Sequence, residues 1–188
     1  MLKPFFILPQ SIVLQGVEYS IRTDFRVWID ISNVFSNENI SQKDKLYYLV
    51  AKAIKDATPQ NLYDAAAKLL EFMAMGKLTQ RANKKTDELI SFEEDEGLIY
   101  AAFLQQYSID LYEVDMHWWK FLSLLSSLDE NTLIMKIASY RGANCEGIKN
   151  PELKRFIRKM KNRYRIRKHF CDEQIANELE MIDYRREK

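Results

Sequence analysis

A chain of 188 residues that is 47% hydrophobic and 12% aromatic can bury a sizeable core, which excludes global disorder. Five glycines and four prolines favour long helices over a strand-rich sandwich. A net charge of +1 makes no overall case for nucleic acid or an anionic membrane.

The N-terminal stretch "MLKPFFILPQ" has too short an apolar run for a signal peptide, and proline interrupts it. No apolar stretch approaches the roughly 20 residues a membrane span needs. Cys145 and Cys171 stand far apart and outside any C-x-x-C spacing, which reads as free thiols of a reducing compartment. The expectation is a soluble cytosolic chain.

"SIVLQGVEYSI" (11–21) holds two β-rich runs around Gln15-Gly16, the pattern of a tight hairpin. Helices follow. "TDFRVWIDISNVF" starts at Thr23 or Asp24, with Trp28 on its apolar face. "SQKDKLYYLVAKAIKD" starts at Ser41, with Asp44 three residues on. "TPQNLYDAAAKLLEFMAMG" reads as capped by Thr58, opened by Pro59 and ended by Gly76. Residues 77–90 are polar and aperiodic, and read as a linker.

"SFEEDEGLIYAAFLQQY" opens with Ser91 and Glu94, a capping box, and its acidic run suits the first turn of a helix. A further helix ends at Gly142. Asn150-Pro151 opens the last one, with a stripe of Leu153, Ile157, Met160, Tyr164 and Cys171 that continues to Ile175, Leu179 and Ile182.

The stretch "DLYEVDMHWWKF" (110–121) holds one of two histidines and two of three tryptophans. Set on a helix over 110–128, Asp110 caps and Glu113 takes the third position. Leu111, Val114, Trp118, Phe121, Leu122, Leu125 and Leu128 then fall on one core face. His117 lies at its edge and Asp115 beyond the other edge, so one metal ion could not take both. His117 therefore reads as a packed or hydrogen-bonded histidine, and Trp118, Phe121 and Trp28 as core. Trp119, Met116 and Tyr112 point away from that face, which means either a central helix or a patch for association.

From Lys149 to Lys168 there are ten basic residues and one acid, Glu152. Residues 172–188 hold six acids and three bases. This arrangement fits a solvated helix, a charged protein partner or, less well, nucleic acid. Lys154, Arg155, Arg158, Lys159 and Lys161 are the contact candidates. No Gly-rich phosphate loop, G-x-S-x-G or H-E-x-x-H is present, so catalysis has no motif behind it and no cofactor is expected. The expected fold is mainly α: a helical bundle with a short N-terminal β-hairpin and a long basic C-terminal helix. Its domain covers 1–170 (hairpin 1–22, helices 23–76, linker 77–90, helices 91–170), followed by a charged extension over 171–188.

"YAAFLQQYSIDLYEVDMHWWKFLSLLSSL" (100–128), then "IASYRG" (137–142), resembles the bacteriophage gene-product-fifteen family of tailed phages and prophages. "GVEYSIRTDFRVWI" (16–29) resembles the same family's opening. The resemblance implies a protein encoded beside the tape measure protein, acting as a tail assembly chaperone. Its partners would be the tape measure protein, the tail tube protein and further copies of itself. It would work in the host bacterial cytoplasm and be absent from the virion, with no enzymatic activity. The other class the sequence admits is a head–tail structural or nucleic-acid-binding protein retained in the particle.

Overall fold

Gln15 and Gly16, at φ 50° and 83°, form the two-residue turn that joins β1 (Ser11–Leu14) to β2 (Val17–Ser20). Positive φ at both positions matches the right-handed twist of the strands, and glycine takes it without a Cβ clash. The strands pair antiparallel, Leu14 opposite Val17 and Ser11 opposite Ser20. In this computed structural model residues 7–55, 59–76 and 89–167 are described. Seven helices follow the hairpin among them: α1 (Phe25–Ser36), α2 (Gln42–Ala53), α3 (Leu62–Met73), α4 (Glu96–Tyr107), α5 (Trp118–Ser126), α6 (Leu133–Gly142) and α7 (Pro151–Arg163).

Helix starts follow side-chain chemistry. Asp24 caps α1 by accepting from Arg26 N, and Ser41 Oγ caps α2 by accepting from Asp44 N. The α3 cap differs from expectation. Asn61 accepts from both Tyr63 N and Asp64 N, so the helix starts at Leu62 and Pro59 precedes it. A side chain that satisfies two orphan amides fixes the start more firmly than a preceding proline. Thr58 lies outside the described residues.

The chain forms two units. The first contains the hairpin, α1, α2, α3 and residues 115–122. β2 leads into an isolated bridge from Ile21 to Ile54, and Arg22 N donates to Ala53 O at 2.7 Å. The core of this unit is aromatic. Trp28 is fully buried, 4.7 Å from Phe72 and 6.4 Å from Trp118 between ring centroids. Phe25 stacks on Phe121 at 4.7 Å. Buried Lys45 donates from Nζ to Phe35 O at 2.9 Å, so its charge meets a carbonyl in the last turn of α1.

The second unit contains α4, α6, α7, residues 89–114 and α5 from Ser123 onward. Its core is aliphatic around Phe103: Ile99, Leu111, Leu125, Leu128, Ile134 and Ile137 are buried. Tyr107 Oη donates to Leu124 O at 2.9 Å. The capping box expected at Ser91 takes a different form. Ser91 Oγ accepts from Glu94 N, but the carboxylate that returns to Ser91 N belongs to Asp95, and α4 begins one residue later.

The helix expected over 110–128 begins only at Trp118. Asp110 does cap a turn, its carboxylate accepting from Tyr112 N at 2.8 Å, but residues 114–116 after it are not helical and His117 sits in an isolated bridge. Their backbone is taken by the entry to α1. Phe25 N donates to Met116 O at 3.0 Å, Trp118 N donates to Thr23 O at 2.7 Å, and Asp24 bridges His117. Backbone groups bonded across the chain cannot also serve a local helix. The C-terminal helix is also shorter than expected. α7 ends at Arg163, and Tyr164 to Arg167 are not helical. The continuation through Cys171 to Ile182 lies outside the described residues, as do residues 77–88 of the linker expected over 77–90.

Candidate interaction surfaces

Residues 117–119 form a hydrogen-bonded latch. His117 Nδ1 accepts from Trp119 N at 3.0 Å, which leaves Nε2 to carry the proton and donate to Pro9 O at 3.0 Å. Both ring nitrogens are engaged by backbone groups. Burial lowers the His117 pKa, while the Pro9 contact works against the shift. The two indoles after it act on α3. Trp118 Nε1 donates to Met73 O at 3.0 Å and Trp119 Nε1 to Phe72 O at 2.7 Å. These are carbonyls of the last turn of α3; Phe72 O also accepts from Met75 N at 2.9 Å, so Trp119 adds a second donor there. Trp119 also packs its ring 5.4 Å from Phe72 and is half-buried.

The association candidates therefore separate. Met116 is 3% exposed and faces the core of the first unit. Trp119 is tied to the end of α3. Tyr112 belongs to the second unit and is 66% exposed, its ring 4.8 Å from Tyr100. Tyr100 Oη in turn donates to Asp110 at 3.3 Å, and partial desolvation together with that carboxylate raises the Tyr100 pKa. The shared helical face on which these three residues were grouped does not exist, because 110–117 is not a helix.

Asp95 and Arg141 carry a role the sequence reading assigned to neither. Both are buried, and the guanidinium grips the carboxylate at 2.5 and 3.0 Å. Arg141 further donates Nε to Tyr164 O at 2.6 Å and Nη1 to Leu89 O at 2.9 Å. One side chain thus ties the entry to α4, the end of α7 and the strand of chain at Leu89. The Tyr140-Arg141 pair inside "IASYRG" was the available signal.

α7 carries the basic candidates Lys154, Arg155, Arg158, Lys159 and Lys161. Asn150 caps it by accepting from Glu152 N and Leu153 N, and Pro151 takes the first position. None of its residues is buried. It packs on α6 through Tyr140, whose ring lies 6.1 Å from Phe156 and 6.3 Å from Tyr164. Leu153 and Phe156 are 50% and 46% exposed. Leu153 and Phe156 thus stay exposed among the cations of α7, while Ile157 and Met160 are half-buried.

Residues 7–166 match the family described as Bacteriophage Gp15 protein. The chain belongs to this phage family. The match spans the hairpin, every helix named above, the His117–Trp119 latch and the Arg141–Asp95 pair. Membership in the Bacteriophage Gp15 protein family points to a phage structural or assembly protein. No curated protein and no solved structure matches the chain. No helix among the described residues is long and apolar enough to cross a membrane.

Proposed function

We propose that this phage protein is a non-enzymatic tail assembly chaperone that binds the tape measure protein before the tail tube closes around it. The observation that carries the reading is α7: a basic amphipathic helix with no buried residue and with Leu153 and Phe156 half exposed. Such a face fits the apolar stripe of a second helix, with carboxylates of that helix meeting the surrounding cations. Contacts of this kind are individually weak. Repeated along a long helical partner they hold it by avidity, and they release as tube subunits take over the same stripe. Tyr112, exposed on the same unit, is a second contact. The protein acts in the host cytoplasm, and the tail tube protein and further copies of the chain are its other partners.

Co-expression with the neighbouring tape measure protein, followed by affinity capture, tests the reading. A soluble complex is expected, together with absence of the protein from purified virions by mass spectrometry. Stoichiometric copies in the virion, with no capture, would make it a retained structural protein instead.

A further inference from the structure

The two sides of α7 differ. Ile157 and Met160 are half-buried, and Phe156 packs on Tyr140 of α6. At about 100° per residue, Arg155, Arg158, Lys159 and Arg163 share the side opposite Ile157, and all four are exposed. Glu152 is the one acid in the helix and lies at the start of that side. Arg155, Arg158 and Lys159 form no ion pair among the described residues. A face with three cations that the unit leaves unpaired selects carboxylates. Guanidinium groups also select aromatic rings, on which their planes stack.

The same unit carries a surface of that composition. The rings of Tyr100 and Tyr112 lie 4.8 Å apart, and Tyr112 is 66% exposed. Each hydroxyl donates to a carboxylate, Tyr100 to Asp110 at 3.3 Å and Tyr112 to Glu96 at 3.4 Å. Desolvation raises the Tyr100 pKa, and so do the charges of Asp110 and, more weakly, Glu113, so both carboxylates act at the ring pair. Glu96 and Glu113 are exposed, and neither forms an ion pair among the described residues. Within one copy, then, the α7 cations and these acids do not meet.

We propose that α7 of one copy docks through Arg155, Arg158 and Lys159 on the Tyr100–Tyr112 pair and the Glu96 and Glu113 carboxylates of a second copy. Two different surfaces meet, so the contact is head-to-tail and can repeat from copy to copy. The contact gives surfaces to the self-association proposed above and stands without the tape measure protein. Where that protein also binds α7, it and the neighbouring copy compete for the same cations.

Sedimentation of the full-length protein alone, over a range of concentrations, tests the contact. The unaltered protein is expected to gain mass as concentration rises, less so at high salt. Arg155→Glu/Arg158→Glu/Lys159→Glu and, separately, Glu96→Lys/Glu113→Lys are each expected to weaken self-association by roughly tenfold or more, because like charges then face each other. Thermal melts of both variants are expected to match the unaltered protein, since the changed side chains are exposed. The deciding sample is an equimolar mixture of the two variants. The first keeps an intact ring-and-carboxylate surface and the second an intact α7, so a heterodimer is expected that grows no further. A mixture that stays monomeric would overturn the proposal. So would an unaltered protein that is monomeric at every concentration, or self-association that neither set of changes weakens. No tape measure protein is present, so any of these failures leaves the chaperone reading standing.

Discussion

Arg141 reaches 46 residues back along the chain to hold Asp95 with two parallel hydrogen bonds, at 2.5 and 3.0 Å, in a site where both side chains are less than a tenth exposed. A fork-on-carboxylate geometry of this kind satisfies both charges at once. Removing one partner leaves the other charged and dry. Asp95→Ala is expected to lower unfolding stability by about 3–5 kcal/mol, read by urea denaturation of the full-length protein. Arg141→Met combined with Asp95→Leu is expected to recover much of the loss. Equal instability of the single and double variants would mean that the Tyr164 and Leu89 carbonyls, not Asp95, are what Arg141 chiefly serves.

Trp118 and Trp119 both cap the end of α3, but their packing differs. Trp118→Ala removes a side chain that is 2% exposed and should cost about 3–5 kcal/mol. Trp119→Ala removes a half-buried ring and should cost clearly less. Trp118→Phe keeps most of the packing but strands the Met73 carbonyl, for an expected loss of about 1–3 kcal/mol. Thermal melts of the three variants rank them.

The lowered His117 pKa makes stability depend on pH. The unfolded histidine, near its ordinary value of about 6.5, binds a proton more readily than the folded one. The stabilising contribution is therefore fully present above that value and is lost as pH falls through the lower folded pKa. Protonated Nδ1 could no longer accept from Trp119 N. Denaturation midpoints of the wild type are expected to fall between pH 7 and 5 (about the window set by the ordinary value). In His117→Gln that fall is expected to be smaller, with lower stability at neutral pH. Parallel pH profiles would remove His117 from the account.

Changing Lys154, Arg155, Arg158, Lys159 and Lys161 together to Gln should spare the fold, since none of the five is buried. Capture of a tape measure fragment should weaken, and capture by the wild type should fall with salt, because exposed charges act mainly on association. Duplex DNA gives the contrasting outcome. Tight binding to DNA at physiological salt, with log K falling against log salt at about −0.9 per phosphate contact and abolished by the five changes, would replace the chaperone reading.

Local chemistry was legible in the sequence wherever a few adjacent residues decide the outcome. The Gln15-Gly16 turn, the caps at Asp24, Ser41 and Asn150, and the end of α3 near Gly76 all depend on orphan backbone groups and left-handed φ within one turn of chain. The mainly helical class followed from apolar spacing in the same way. Periodicity failed at 110–117, where Thr23 and Phe25 bind the backbone of Met116 and Trp118 across some ninety residues of chain. No local pattern encodes a bond of that kind. The same holds for Asp95, which reads as one acid among several at a helix start until Arg141 is brought to it. The sequence by itself determined the class of the fold, the hairpin and the basic stripe of α7. Only the tertiary structure decided that Met116 turns inward, that two indoles finish α3 and that α7 stays unburied, because burial and hydrogen bonding between distant segments depend on which surfaces meet.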